Sequence, residues 1–341
     1  MSNGHPEPAP ARASTGAYNK AEARGTVAVI GAGSTGASWA GLFAAGGHVV
    51  RLFDTQPGAA EAAVGRSAAA ARFLVDKGLA ETGSAEIGIA GLTSAATLED
   101  AVAGVLLVQE CVRDDLALKR AVFGQVSRVT PEEALIATSS SGLSITEIQR
   151  DSHEPGRTLA AHPYNPPHLI PLVELAPGAL TRAETLERAR DFYLGVGKEP
   201  ILMSHDIPGY IANRMSAALW REAIELVRSG VATVEDVDRA ICYGPGLRWA
   251  VMGPHLIYHL GGGPAGLRGH MSHLTGTKEG MLRDLATWTT FPADAVDLIA
   301  SGVEEEAGGK NLAELEAERD EALAALLLAL RRTRSPRLPR S

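Results

Sequence analysis

The chain has 341 residues, 45% of them hydrophobic and 21% charged, with a formal net charge of −8. This is the balance of a soluble globular protein with room for about two domains, and it excludes a wholly disordered or fibrous chain. The acidic excess argues against nucleic acid as a partner, because neutralising phosphates needs a basic face.

Residues 1–24 are rich in Ala, Pro, Gly and Ser and lack a hydrophobic period. They read as a disordered leader, without the apolar segment that a signal peptide needs. From residue 26 onwards, short apolar runs alternate with helix-like segments. "TVAVIGA" (26–32), "HVVRLFD" (48–54), "VLLVQEC" (105–111) and "ALIATSS" (134–140) predict buried strands joined by Ala-rich or amphipathic helices. The alternation predicts a parallel sheet covered on both faces, a doubly wound α/β domain of the Rossmann type over residues 25–205. "RTLAAH", "LVELAP" and "EPILMS" are its last strand-like pieces.

Beyond residue 205 the period becomes helical. Ile211, Met215, Leu219 and Leu226 mark a long helix stopping at Gly230. Thr233 N-caps a second that ends at Gly244, and residues 311–332 form another. Residues 206–332 are expected as an all-α domain, followed by a basic tail at 333–341. Cys111 and Cys242 stand far apart and outside any CxxC pattern, which fits a reducing, cytoplasmic setting. No apolar run is long enough to span a bilayer.

Gly31, Gly33 and Gly36 form G-x-G-x-x-G directly after the first strand and at the start of a helix. Gly31 permits the tight turn, Gly33 lets a pyrophosphate approach the backbone, and Gly36 lets helix pack on strand. Ser34 and Thr35 sit at the helix N-terminus, where backbone N–H groups favour phosphate. The second strand ends in Asp54, which suits the ribose hydroxyls of an adenosine and repels a 2′-phosphate. Thr55 and Gln56 supply no arginine to hold that phosphate, so the cofactor is read as NAD.

"AAHPYNPPHLIPLVEL" (160–175) holds His162 and Glu174 equally far from a turn at His168, with prolines between that exclude ordinary helix. An antiparallel hairpin would set the two residues opposite one another. A carboxylate on one ring nitrogen fixes the tautomer and raises the basicity of the other. His162 is then a general base in alcohol oxidation and a general acid in the reverse reaction. Ser141 follows the strand "ALIATSS", and His162 ends the next one. Ligands of doubly wound sheets bind at the carboxyl ends of the strands, so both should face the cofactor. His255 and His259 are spaced i, i+4 but lack a supporting carboxylate motif, so no metal is expected.

These segments, with "SSSGLSITEI", "DIPGYIANR" and "GPGLRWAVMGP", resemble the 3-hydroxyacyl-CoA dehydrogenase family over residues 25 to 275. Within it the chain is most similar to the L-carnitine and L-gulonate (lambda-crystallin) types. The resemblance implies that His162 is catalytic and Glu174 orients it, and that Ser141 and Asn213 contact the substrate. It further implies cofactor contacts from Lys119 and Asn165, and from Asp114, which stands where the family usually has glutamate. A homodimer built through the helical domain is also implied. Physically, Ser141 and Asn213 suit donors to an oxygen that gains charge as hydride moves.

The segment after the second strand offers only Arg66, Arg72 and Lys77, read as a solvated helix face rather than a clamp for CoA phosphates. Arg248, beside Trp249, suits bidentate binding of a substrate carboxylate. A free 3-hydroxy acid is therefore expected. An acyl-CoA or carrier-protein thioester, and a non-catalytic NAD-binding role, stay open as alternatives. Trp249, Tyr258 and Trp288 would be needed for an aromatic cage around a quaternary ammonium, with core packing as the default for each.

Overall fold

A parallel strand buried on both faces needs apolar side chains on both. In β1 (Thr26–Ile30), Val27 and Val29 enter one core, and Ala28 and Ile30 enter the other. The computed structural model describes residues 24–333, so the expected leader and basic tail fall outside it except for Arg24 and Thr333. The further strands are β2 (Val49–Phe53), β3 (Leu92–Ser94), β4 (Leu107–Glu110), β5 (Leu135–Thr138), β6 (Thr158–Pro163), β7 (Leu172–Pro177) and β8 (Glu199–Leu202). They form one sheet in the order β3-β2-β1-β4-β5-β6-β7-β8.

The strands from β3 across to β6 are parallel, and β7 reverses direction against β6. The chain order reverses between β1 and β4, and that switch point opens the crevice where ligands of such sheets bind. The short β3 has no legible signature, because of its three residues only Leu92 is buried.

Helices α1 (Ser34–Ala45), α2 (Ala59–Asp76), α3 (Thr82–Ala90), α4 (Leu98–Val102), α5 (Leu116–Val129), α6 (Ile145–Ile148) and α7 (Ala183–Gly195) flank the sheet. The C-terminal part is helical: α8 (Ala212–Arg228), α9 (Val234–Tyr243), α10 (Pro245–Val251), α11 (Pro254–Gly261), α12 (Gly266–Asp284), α13 (Ala295–Ala307) and α14 (Leu312–Thr333). α8 starts only at Ala212, because a turn with positive φ at Gly209 and Tyr210 precedes it. Thr233 caps α9 by accepting the backbone N–H of Asp236.

The last helix, expected within the helical domain, returns to the sheet domain. Leu323 and Leu327 pack on its core, Glu321 pairs with Lys77 at 2.6 Å, and Arg331 donates to the carbonyl of Leu79. Two aromatics expected in the core are exposed instead, Trp249 at 40% and Tyr258 at 37%, because the helices that carry them lie on an open face of the single chain.

Candidate active site

The turn from β1 into α1 is built for close approach of a ligand. Gly31 has φ 98°, and a Cβ there would meet the backbone of Cys111 and Val112 at 2.7–2.8 Å. A Cβ on Gly36 would strike the Gly31 carbonyl at 1.9 Å, so only glycine lets α1 sit this near the strand. A Cβ on Gly33 meets nothing within 4 Å: the space beside it is open. At the neighbouring strand end, Asp54 Oδ2 accepts the Ala32 N–H at 2.7 Å, and Oδ1 accepts that of Gln56 at 2.9 Å. A dinucleotide bound in this cradle would set its pyrophosphate against Gly33 and its ribose against Asp54. Arg66 reaches the same turn, donating to the Ala32 carbonyl at 2.8 Å, so it is not merely a solvated cation on α2.

β6 and β7 pair in the register His162↔Glu174. His162 Nδ1 lies 2.9 Å from Glu174 Oε2. An ionised carboxylate only accepts, so Nδ1 carries the proton and Nε2 is left as the basic nitrogen. The other oxygen, Glu174 Oε1, accepts the backbone N–H groups of Ile211 and Ala212 at 2.8 and 2.9 Å, where α8 begins. Burial pushes the Glu174 carboxyl up, but hydrogen bonds from His162, Ala212 and Ile211 outweigh it and hold its pKa below the usual value. The same helix start carries Asn213, whose Nδ2 lies 3.4 Å from His162 Nε2.

A cleft of about 590 Å³ brings together Thr35, Asp114, Lys119, Ser141, His162, Asn165 and Asn213. Glu174 stands behind it on β7; Gly31, Gly33, Ser34 and Gly36 lie at the adjoining turn into α1, and Asp54 follows the end of β2 beside it. Arg248 does not line this cleft; it is exposed on α10. Asp114 accepts from both the hydroxyl and the backbone N–H of Ser141, at 3.1 and 3.2 Å. Burial raises the Asp114 carboxyl, but hydrogen bonds from Ser140 and Ser141 and the charge of Lys119 leave it below the usual range.

The sequence reading missed Glu110. It is fully buried at the end of β4, and the ammonium of Lys119 donates to both of its oxygens, at 2.9 and 3.0 Å. Lys119 also donates to the Val112 carbonyl at 2.8 Å, so its three protons are engaged by the protein. The pair thereby fixes the Cys111–Val112 backbone against Gly31. A charged residue ending a buried strand, with a lysine nine positions later, was the available signal.

Residues 26–207 match the NAD binding domain of 3-hydroxyacyl-CoA dehydrogenase, and residues 209–297 match its C-terminal domain. The chain belongs to the 3-hydroxyacyl-CoA dehydrogenase family. With that family it is an NAD-dependent oxidoreductase. The L-carnitine dehydrogenase of Streptomyces griseus is 40% identical over 320 residues, covering 92% of this chain and 91% of its own length. That of Pseudomonas putida is 36% identical, covering 91% and 95%. Among solved structures, 5-formyl-3-hydroxy-2-methylpyridine 4-carboxylic acid 5-dehydrogenase aligns with a TM-score of 0.77 at 28% identity, over 91% of this chain and 99% of that one. The 3-hydroxybutyryl-CoA dehydrogenase of Escherichia coli K12 aligns with a TM-score of 0.58 at 32% identity, over 69% of this chain and 49% of that one.

Proposed function

We propose that this enzyme oxidises the 3-hydroxyl of a small L-3-hydroxy acid, carnitine- or gulonate-like, to the 3-keto acid, reversibly. The observation that carries the reading is the His162–Glu174 bond, which commits the Nδ1 proton to a carboxylate and leaves Nε2 unprotonated towards the cleft, with the Asn213 amide beside it at 3.4 Å. When bound, NAD supplies the acceptor for the hydride. His162 takes the hydroxyl proton at Nε2, and Glu174 steadies the imidazolium that forms. Asn213 donates to the substrate oxygen, and Ser141 joins it by turning its single hydroxyl proton from Asp114, which accepts it at 3.1 Å, to that oxygen. In this reading residues 25–205 carry the cofactor, and residues 206–332 carry substrate and partner contacts.

A small substrate is supported by a second cavity of about 590 Å³ that shares Asn213 with the cleft and is walled by Trp220, Trp288, Phe291, Arg214 and Arg221. Its ring faces suit an alkylammonium group, and its guanidinium groups suit a carboxylate. Arg248 lines neither cavity of the single chain, so we assign its contact with the carboxylate to a site completed by a second copy. The thioester reading draws support from the similarity to the E. coli 3-hydroxybutyryl-CoA enzyme. We place the protein in the cytoplasm; no described helix is long and apolar enough to cross a membrane.

The test is NADH formation or consumption across L-carnitine, 3-hydroxybutyrate, L-gulonate and acetoacetyl-CoA. Turnover of free acids but not of the thioester is expected, and the reverse pattern selects the thioester reading. In His162→Gln, NAD binding survives while turnover falls roughly 10²–10⁴-fold. Turnover by that variant within tenfold of the unmodified enzyme would remove His162 from the mechanism.

A further inference from the structure

Tyr210 is the one non-glycine residue with positive φ among the described residues, at 47°. A residue with a Cβ adopts that conformation only when its surroundings hold it there, and such sites cluster at functional centres. Its ring is 2% exposed and stacks on the His162 imidazole, with centroids 4.8 Å apart and planes inclined by 23°. Its hydroxyl is buried without a hydrogen-bond partner. The next two backbone N–H groups, of Ile211 and Ala212, are the donors to Glu174 Oε1. One strained residue therefore touches both members of the acid–base pair, the imidazole through its ring and the carboxylate through the turn that it makes.

We propose that Tyr210 is the positioning residue of the His162–Glu174 pair: its ring face fixes the plane of the imidazole, and its left-handed turn aims the start of α8 at the carboxylate. This rests on the reading of His162 as the acid–base group. Burial, together with the carboxylates of Asp206, Asp114 and Glu174, pushes the Tyr210 hydroxyl up, so the phenol stays protonated and carries no proton of the reaction. What remains for the side chain is the ring. It blocks rotation of the imidazole out of the plane in which Nδ1 faces Glu174 and Nε2 faces the cleft.

Three variants separate ring from turn. Tyr210→Gly keeps the left-handed turn at no steric cost and removes the ring, Tyr210→Leu keeps apolar bulk without a flat face, and Tyr210→Phe keeps the ring. The readouts are kcat, NAD affinity by titration, and the downfield proton resonance of His162 Nδ1–H, assigned by its absence in His162→Gln. Expected for both Gly and Leu is a fall in kcat of at least about tenfold, NAD affinity within about twofold, and loss or broadening of the resonance. Phe restores both the rate and the resonance. The proposal is overturned if the Gly or Leu variant turns over within twofold of Phe, or loses rate with the resonance intact. Should the Gly variant fail to bind NAD, the Leu variant carries the comparison alone. A His162→Gln enzyme that still turns over would sink the underlying reading; normal loss in His162→Gln with no effect at Tyr210 would sink only this inference.

Discussion

Lys198 is a buried ammonium with no carboxylate partner among the described residues. Its Nζ donates to the carbonyls of Pro167 and Ile170, at 2.5 and 2.8 Å, and lies 4.6 Å from the centroid of a Trp39 ring. It thus clamps the proline loop that follows His162. Burial lowers its pKa to about 7, whereas an unfolded lysine titrates near 10.4. Between those values the unfolded chain binds more protons than the folded one, so stability rises with pH across this window. The slope is worth on the order of 4 kcal/mol in total. Lys198→Met abolishes it and leaves two loop carbonyls unpartnered, each costing about 1–3 kcal/mol. Urea unfolding of both proteins from about pH 7 to about pH 10 should show a stability gap that widens with pH; a flat gap would refute the buried-cation account. The sequence does not mark this residue out, because a lysine after Gly197 reads as an ordinary surface cation until β8 and the loop are placed together.

The glycine turn and the β6–β7 hairpin were legible because their constraints are local. G-x-G-x-x-G between strand and helix, and a histidine and a glutamate equidistant from a turn, require no knowledge of distant contacts. Tyr210 was not legible, since a left-handed tyrosine follows from what α8 and β7 impose on it, not from its own preference. Glu110 was hidden inside an apolar run, where its charge is tolerable because Lys119 folds back over it and Thr138 and the Val112 N–H donate to it as well. Within the turn, the glycines separate by experiment. Gly36→Ala drives a methyl into the Gly31 carbonyl and should cost roughly 1–3 kcal/mol or more in unfolding free energy. Gly33→Ala puts its Cβ where no protein atom lies within 4 Å, so its Tm should stay within a few degrees while NAD affinity drops by about tenfold or more. Equal losses of stability in both variants would mean that Gly33 serves the fold and not the cofactor.

The helical part was the least legible because its apolar pattern is not resolved within one chain. Met215, Tyr243, Leu247, Val251, Leu256 and Leu260 are between 58% and 80% exposed, on four consecutive helices. A monomer seldom leaves so much apolar surface in water, and the helical period read from the sequence points these side chains at something other than their own core. A second copy of the chain is the occupant that the family resemblance implies, and a stable dimer would cover about 1,200–2,000 Å² in all. Light scattering is therefore expected to give twice the 35.6 kDa of one chain, and Tm should rise with protein concentration, as mass action requires of a dimer. Leu256 and Leu260 lie one turn apart on α11, and replacing both with Asp should shift the scattering mass to that of one chain and make Tm independent of concentration. Arg248 stands among these side chains, so the same variant should also raise KM for the hydroxy acid while leaving NAD affinity in place. Unmodified protein that scatters as a single chain at micromolar concentration would remove both the dimer and the part proposed for Arg248.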